Sequence, residues 1–106
     1  MLTIKNKGNG FAFYLHSEDG GRLLKSIKFS SLEEVKTTVE KLKTVKENHN
    51  IFERKTDHSG KFLFNLNDLN GTTIAKSERY TSEAGMENGI KNVKNRIISL
   101  SDQNEL

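Results

Sequence analysis

The residues that could do chemistry in this chain are three histidines and two adjacent glutamates. His16 falls in a predicted strand, His49 in a polar linker and His58 in a turn, so their spacing predicts no shared metal or catalytic site. Glu33 and Glu34 lie next to each other on a predicted helix, where adjacent side chains point about 100° apart. The first turn of a helix also favours acidic residues by itself. We therefore do not expect this glutamate pair to act as a general acid and base.

No other catalytic or cofactor motif is present in the sequence. Cysteine is absent, which excludes disulfides, thiol nucleophiles and thiolate metal sites. The chain also lacks a glycine-rich phosphate loop, a nucleophile elbow and a His-x-x-x-His metal pair. We therefore expect a protein without enzymatic activity, without a cofactor and without a metal site.

Composition predicts one small domain with a modest core. The 106 residues are 33% hydrophobic and 29% charged, and the hydrophobic residues recur too regularly for a disordered chain. The net charge of +3 comes from interspersed charges, a much weaker signal than a basic arm for nucleic acid. The lack of cysteine, of a signal-peptide pattern and of a long apolar run predicts a cytoplasmic protein that does not enter a membrane.

The chain resembles itself when it is shifted by 51 residues, an alignment that places residues 11–43 on residues 62–94 without a gap. The identical pairs are Phe11 and Phe62, Phe13 and Phe64, Leu15 and Leu66, Gly20 and Gly71, Lys25 and Lys76, Ser26 and Ser77, Ser31 and Ser82, and Lys43 and Lys94. This pattern predicts one domain, 1–106, made of two repeats. The divergent repeat is 1–47, the well-matched repeat is 51–99, and 100–106 is a polar tail.

Each repeat is predicted to contain three strands followed by a helix. The second repeat has the strands IFERKT, KFLFNLN and TTIAKSE with turns at DHSG and DLNG. The first has LTIKN, FAFYLHS and RLLKSI with turns at Asn9-Gly10 and Asp19-Gly20. The apolar spacing then becomes that of amphipathic helices, with Leu32, Val35, Val39, Leu42 and Val45 on the first and Met86, Ile90, Val93 and Ile97 on the second.

The second repeat resembles the YegP-like family of small bacterial and archaeal proteins. The motifs are F-x-F-x-L, N-G, S-E-x-Y-x-S and N-G-I-x-x-V-K, formed here by Phe62, Phe64, Leu66, Asn70, Gly71, Ser77, Glu78, Tyr80, Ser82, Asn88, Gly89, Ile90, Val93 and Lys94. The resemblance implies an α+β fold of two β-β-β-α units related by a pseudo-two-fold axis, with an antiparallel sheet and helices packed on one face. It implies no activity, because the family is uncharacterised.

Two interpretations are open for the phenylalanines of the two F-x-F segments, Phe11, Phe13, Phe62 and Phe64. Aromatic residues spaced i and i+2 on an open sheet can stack bases of single-stranded nucleic acid. Alternatively, they form the core beneath the helices, which their alternation with leucine favours.

The opposite sheet face is the candidate interaction surface. It carries Tyr14, His16, Leu63, Asn65 and Asn67, which are predicted to form a polar, hydrogen-bonding surface open to solvent or to a partner.

Gly85 and Gly89 are unusual because they lie one turn apart within a predicted helix, where each glycine costs about 0.8–1.0 kcal/mol relative to alanine. Their place beside Met86 and Ile90 predicts close packing against strand backbone or the other helix; the alternative is a ligand lying across bare helix backbone. Tyr80 is predicted to staple onto the first helical turn.

Glu78 is predicted to pair with Arg79, Arg54 or a lysine, with ligand binding as the alternative.

These features favour a non-catalytic module that binds a protein partner or a second copy of itself, through the polar sheet face or an edge strand. We expect a monomer with an internal pseudo-dimer rather than a homodimer. The alternative is weak, sequence-independent nucleic-acid binding by Lys25, Lys28, Lys41, Lys43, Lys76, Arg79, Lys91, Lys94 and Arg96.

Overall fold

The computed structural model describes residues 2–44 and 51–103, with side chains described through Ser99. Its elements are β1 Leu2–Asn6, β2 Phe11–His16, β3 Arg22–Ser26, α1 Leu32–Leu42, β4 Phe52–Thr56, β5 Phe62–Asn67, β6 Thr73–Ser77 and α2 Glu83–Gln103. This order of strands and helices is the predicted one. Val45 and His49 lie outside the described residues. Helix α2 continues into the segment predicted as a polar tail.

The six strands form one antiparallel sheet in the order β1-β2-β3-β6-β5-β4. β3 and β6 meet at its centre, and β1 and β4 form its edges. The central register pairs Leu24 with Ser77, Lys25 with Lys76 and Ser26 with Ala75. The Lys25–Lys76 pair is therefore the midpoint of the sheet.

Both helices cover the same face of the sheet. The core joins Val35, Val39 and Leu42 of α1, Met86, Ile90, Val93 and Ile97 of α2, and Phe13, Leu15, Phe64 and Leu66 of the strands. Phe13 and Phe64 are fully buried, and Phe11 and Phe62 pack against the core. The core interpretation of these phenylalanines is thus confirmed. Burying such a side chain fully contributes about 1.5–3 kcal/mol relative to leaving it exposed.

A β-bulge interrupts the ladder between β2 and β3 and the ladder between β5 and β6. Because a bulge places an extra residue in one strand, two consecutive residues no longer follow the simple alternation of faces. Leu23 and Leu24 are consequently both buried in the core, as are Ile74 and Ala75.

A serine hydroxyl completes the hydrogen bonding of the sheet at the end of each central strand; Ser26 is buried and Ser77 is partly exposed. The Ser26 hydroxyl accepts a hydrogen bond from the Phe13 amide (2.8 Å) and donates one to the Ile27 carbonyl (2.7 Å). Ser77 makes the same pair of bonds with the Phe64 amide (2.9 Å) and the Glu78 carbonyl (2.7 Å). Each hydroxyl replaces a backbone acceptor that the departing strand cannot supply.

The first hairpin turn differs from the predicted one. It spans Lys7–Gly10, is closed by the Lys7 amide donating to the Gly10 carbonyl (2.7 Å), and places the positive φ of 86° at Gly8. Gly10 is required for a different reason, because a Cβ there would lie 2.8 Å from the backbone oxygen of Phe29. The glycines of the β2–β3 and β5–β6 turns, Gly20 and Gly71, adopt positive φ.

The glycines of α2 face an aromatic side chain, not strand backbone or α1. A Cβ added at Gly89 would lie 2.7 Å from Cζ of Tyr80, and one at Gly85 would lie 3.7 Å from its Cδ1. The Tyr80 ring stacks on Phe64, with centroids 6.3 Å apart and planes inclined by 12°. The predicted packing partner was therefore wrong, because Tyr80 extends along the helix beyond the first turn that it was predicted to staple.

Serine side chains begin both helices. The Ser31 hydroxyl accepts from the Glu34 amide (3.2 Å) at α1, and the Ser82 hydroxyl accepts from the Gly85 amide (3.0 Å) at α2. Neither helix, as far as the chain is described, is long and apolar enough to cross a membrane.

Candidate interaction surface

The sheet face opposite the helices, which we call the outer face, is not covered by either helix. Tyr14 alternates with the core residues Phe13 and Leu15, so it points to the outer face. Residues directly opposite each other on neighbouring strands share a face. The register therefore defines a central row that crosses all six strands on the outer face: Thr3, Tyr14, Lys25, Lys76, Asn65 and Glu53.

Three cations cover the ring of Tyr14. The ammonium groups of Lys5 and Lys7 each lie 5.4 Å from the ring centroid, and the guanidinium carbon of Arg22 lies 4.6 Å from it. Tyr14 is only 2% exposed as a result, although it was predicted to belong to a surface open to solvent or to a partner. The long side chains of these three cations shield the Tyr14 ring, although no helix covers this face of the sheet. The ring is consequently not an open platform for stacking a base.

The cations around Tyr14 create a positive potential at this end of the outer face, and this potential lowers the pKa of the Tyr14 hydroxyl. A hydrogen bond with Lys7 lowers the pKa of the Tyr14 hydroxyl, and the charges of Lys7, Lys25 and Arg22 lower it further. Burial opposes these effects but does not reverse them. The cluster favours negative charge in its surroundings.

The centre of the row places two like charges opposite each other. Lys25 and Lys76 are direct register partners, so their Cβ atoms lie about 4.5–5.5 Å apart. Both side chains are exposed, and neither has a carboxylate within ion-pair distance in the described chain. A directly opposed pair of like charges destabilises a sheet. Folding alone therefore gives no reason for this pair.

A shallow groove of about 330 Å³ crosses the seam between β3 and β6 at this pair. It is lined by Lys25, Ser26, Ile27, Lys76, Ser77 and Glu78.

Asn65 is buried beside the lysine pair, and one of its side-chain atoms has no hydrogen-bond partner in the described chain. It lies opposite Lys76 in the register, is 6% exposed, and its Oδ1 accepts no hydrogen bond from the described residues. Leaving a buried acceptor unsatisfied costs about 1–3 kcal/mol. Asn67 is different, because its Oδ1 accepts from the Thr73 hydroxyl (2.9 Å) and its Nδ2 donates to Glu53 Oε1 (3.5 Å).

The two histidines within the described residues, His16 and His58, are not brought together. His16 lies opposite Arg22 at the end of β2 and lines a second shallow groove with Glu18 and Arg96. His58 is exposed in the β4–β5 turn. Within residues 2–44 and 51–99, no three histidine, aspartate or glutamate side chains are grouped so that they could hold a metal ion.

Among the residues that the structure describes, Glu78 does not form the predicted charge pair. Arg79 instead binds Asp57, with Nε 2.6 Å from Oδ2, and Arg54 binds Glu87. No ion pair of Glu78 is found in the described part of the chain, and its side chain lines the groove beside the two lysines.

The cations proposed for nucleic-acid binding do not share one face. Lys25 and Lys76 lie on the outer face, whereas Lys41, Lys43, Lys91, Lys94 and Arg96 lie on or next to the helices. Several of them contact their own chain: Lys43 pairs with Glu40 (3.2 Å), and Lys94 lies 5.7 Å from the Phe52 ring.

Sequence reasoning missed the cations that do gather, Lys5, Lys7 and Arg22. The alternation of Lys5 with Leu2 and Ile4 was the available signal for its face.

Comparisons with known proteins identify the relatives of this chain. Residues 57–97 match the family model described as a domain of unknown function, DUF1508. The chain is 31% identical over 101 residues to a UPF0339 protein of Pseudomonas aeruginosa, an alignment that covers 93% of this chain and 92% of the relative. It is 30% identical over 90 residues to UPF0339 protein YegP of Escherichia coli K12, with 85% and 82% covered.

Two solved structures have the same fold. The solution NMR structure of YegP from E. coli, described as a protein of unknown function, matches with a TM-score of 0.81 at 28% identity, and the match covers 92% of this chain and 84% of that one. The solution NMR structure of a UPF0339 protein from Shewanella oneidensis matches with a TM-score of 0.80 at 26% identity, over 87% and 79%.

Proposed function

The chain belongs to the YegP-like UPF0339 family, and we propose that it is a non-catalytic module that binds an acidic segment of a partner protein through its outer face. One observation carries the proposal: the face that the helices leave uncovered gathers cations without carboxylate partners in the described chain, namely Lys5, Lys7, Arg22, Lys25 and Lys76. Charge complementarity of this kind steers association and suppresses wrong partners.

Charge also argues against two other occupants of the outer face. A second copy of the chain would present the same cations, and like charges facing each other repel. A single-stranded nucleic acid would supply phosphates, but sequence-tolerant binding also uses exposed aromatic faces for base stacking. Here the Tyr14 ring is covered by cations, and the four F-x-F phenylalanines belong to the opposite face.

The proposal includes an internal duplication. Residues 1–47 and 51–99 form two β-β-β-α units related by a pseudo-two-fold axis through the Lys25–Lys76 pair. Three kinds of feature recur at a spacing of 51 residues and support it: the two bulges, the serine hydrogen bonds to Phe13 and Phe64, and the bridges Phe11–Phe29 and Phe62–Tyr80. In this arrangement the monomer is its own pseudo-dimer.

A cytoplasmic location is also part of the proposal, because a chain without cysteine suits a reducing compartment.

The test is an NMR titration of the full chain with a blocked hexaglutamate peptide and, separately, with a six-nucleotide oligothymidine. We expect hexaglutamate to shift amide resonances of β2, β3 and β6. The oligonucleotide should bind more weakly, and its affinity should fall steeply as salt is raised.

Matched variants locate the binding surface. Replacing Lys5 and Lys25 together with glutamine should weaken hexaglutamate binding. Replacing the exposed helix residues Lys36 and Lys91 with glutamine removes the same charge and should leave binding nearly unchanged. Equal effects of the two double variants, shifts confined to the helices, or tighter oligonucleotide binding would each contradict the proposal.

A further inference from the structure

We infer that the side of β1 that faces away from β2, which we call the β1 edge, is a second docking site and accepts one extended strand of a partner protein. Acidic and apolar side chains alternate along this added strand, and its backbone pairs with that of β1. The inference goes beyond the proposed function, because it concerns backbone groups at the edge of the sheet and does not require a ligand on the outer face.

The hydrogen bonds of β2 show which backbone groups of β1 face outward. Phe11 exchanges two backbone hydrogen bonds with Phe29 (2.8 and 2.7 Å), and the Phe13 amide donates to the Ser26 hydroxyl (2.8 Å), so both residues of β2 direct their backbone groups away from β1. Hydrogen-bonded and non-hydrogen-bonded pairs alternate along an antiparallel ladder, and the partners of these two residues in β1 therefore also direct theirs away from the ladder. The residues of β1 with outward backbone groups are Leu2, Ile4 and Asn6.

These outward groups are available to a further strand. β1 is the last strand on its side of the sheet, and within residues 2–44 and 51–103 no turn or loop backbone bonds to its outward side. A row of unpaired N–H and C=O groups at a sheet edge is a template for another chain. Addition of a strand to such an edge is a recurring mode of peptide recognition, in which main-chain hydrogen bonds supply the affinity.

The opposite edge of the sheet, β4, carries an inward-pointing charge where β1 has an apolar residue. Arg54 of β4 lies opposite Phe64, as Ile4 of β1 lies opposite Phe13. The Arg54 guanidinium binds Glu87 of α2, at 2.5 and 2.9 Å, on the face that the helices cover. Inward-pointing charges at an edge strand are a known means of preventing further pairing. The comparison therefore favours β1 as the edge that accepts a strand.

The side chains beside the β1 edge define the chemistry of the added strand. Leu2 and Ile4 are partly buried and pack against the core, so residues opposite them gain burial if they are apolar. Lys5 points to the outer face, where it and Lys7 each lie 5.4 Å from the Tyr14 ring centroid, and neither lysine has a carboxylate partner in the described chain. An added strand with acidic residues on the outer face and apolar residues on the other is therefore complementary.

Charge disfavours β1 of a second copy as the occupant. Pairing two β1 edges would bring Lys5 and Lys7 of both chains to one seam, and like charges that face each other repel.

The experiment is an NMR titration of the full chain with a blocked heptapeptide of alternating valine and glutamate. The amides of Leu2, Ile4 and Asn6 should become protected from hydrogen exchange, because they donate to the added strand. N-methylation of the valines, which lie opposite these residues, should weaken binding by about tenfold or more, because it removes hydrogen bonds to the edge. N-methylation of the glutamates should change affinity by less than about twofold, because their N–H groups point to solvent.

Matched variants locate the site on β1. Lys5→Gln should weaken binding of the alternating peptide about twofold to fivefold, the loss of one exposed charge interaction. Lys55→Gln removes the same charge at the corresponding position of β4 and should change affinity by less than about twofold. Ile4→Arg gives β1 the residue that β4 has at this position and should weaken binding more than Lys5→Gln, while the NMR spectrum retains the dispersion of a folded chain.

Equal effects of the two methylations, or protection gained at β4 instead of β1, would overturn the inference. Self-association of the chain that Ile4→Arg abolishes would assign the edge to a second copy and overturn it as well. If hexaglutamate binds the outer face but the alternating peptide does not bind, the edge inference fails and the proposed function stands. If only the alternating peptide binds, the proposed function fails and the edge inference stands.

Discussion

At the scale of single residues, one pair of positions explains why α2 contains glycine. The hydroxyl and ring of Tyr80 occupy the space that a side chain at position 89 would need. In the first half of the chain the corresponding aromatic is Phe29, which has no hydroxyl, and the corresponding helix position is Thr38. Burial, and to a smaller extent the charge of Glu78, raises the pKa of Tyr80. The ring therefore favours its neutral form in this contact.

This contact predicts that Gly89→Ala destabilises the protein, although alanine is the better helix former by about 0.8–1.0 kcal/mol. The added methyl group would lie 2.7 Å from Tyr80 Cζ, and such overpacking costs about 1–3 kcal/mol. Tyr80→Phe should restore part of the loss, because it removes the hydroxyl. Chemical denaturation of the parent, both single variants and the double variant measures the coupling.

Gly85→Ala is the control on the same helix, because its methyl group would lie at an ordinary 3.7 Å from Tyr80 Cδ1 and 3.1 Å from the Ser82 hydroxyl. It should be less destabilising than Gly89→Ala. A Gly89→Ala variant more stable than the parent would show that the Tyr80 contact does not constrain the helix.

At the scale of elements, an ion pair attaches the edge of the sheet to a helix. Arg54 of β4 donates from Nε to Glu87 Oε2 (2.5 Å) and from Nη2 to Oε1 (2.9 Å). The two side chains are about half exposed, at 49% and 46%. Such a bidentate pair fixes orientation, but exposure limits its contribution to stability to about 1 kcal/mol or less.

The ion pair predicts a loss of stability in acid. The hydrogen bond from Arg54 lowers the pKa of Glu87 below its ordinary value of 4.5. Because the pKa is lower in the folded than in the unfolded state, the contribution is fully present above pH 4.5 and is lost as pH falls through the folded pKa. Chemical denaturation across the acid range should show that Glu87→Gln and Arg54→Gln each remove this part of the pH dependence. Curves parallel to that of the parent would contradict it.

The elements were predictable from the sequence, but their finer geometry was not. Alternation along Phe62–Asn67 and the helical spacing of Met86, Ile90 and Val93 fix the element types, and the structure confirms them. The bulges could not be predicted from the sequence. Leu23 and Leu24 are adjacent, and strict alternation assigns only one of them to the core, whereas both are buried there. The contact of Tyr80 with Gly89 could not be predicted either, because local capping patterns describe only the first turn of a helix.

The candidate surface was predictable in part. Alternation placed Tyr14 and Asn65 opposite the core, but their burial depends on neighbours from other strands. The Lys25–Lys76 pairing joins residues far apart in the chain, and no local pattern in the sequence specifies it.

At the scale of the whole molecule, the two halves share one sheet and one core. The β3–β6 ladder joins them, and α2 packs on β3 of the first half as well as on β5 of the second. A unit of about 50 residues buries too little apolar surface to be comfortably stable by itself. Each half should therefore depend on a partner for its stability.

Dividing the chain tests this dependence. A fragment of residues 48–106 exposes the β6 edge that β3 covers in the full chain, so we expect it to fold as a homodimer with β6 paired against its own copy. A fragment of residues 1–48 loses the β6 and α2 contacts of β3 and should stay largely unfolded or aggregate. Analytical ultracentrifugation with circular dichroism over a wide concentration range measures both. A folded monomer of 48–106 at every concentration would show that the halves are independent.

The two ends of the central row carry different chemical groups. On one side of the lysine pair the row continues to Tyr14 and its three cations; on the other it continues to Asn65 and ends at the carboxylate of Glu53. Two identical halves would present the same chemistry in both directions, and a ligand lying across them would have two equivalent orientations. Because Tyr14 and Asn65 differ, the proposed function predicts that an extended peptide bound along this row has one preferred direction from its amino terminus to its carboxyl terminus.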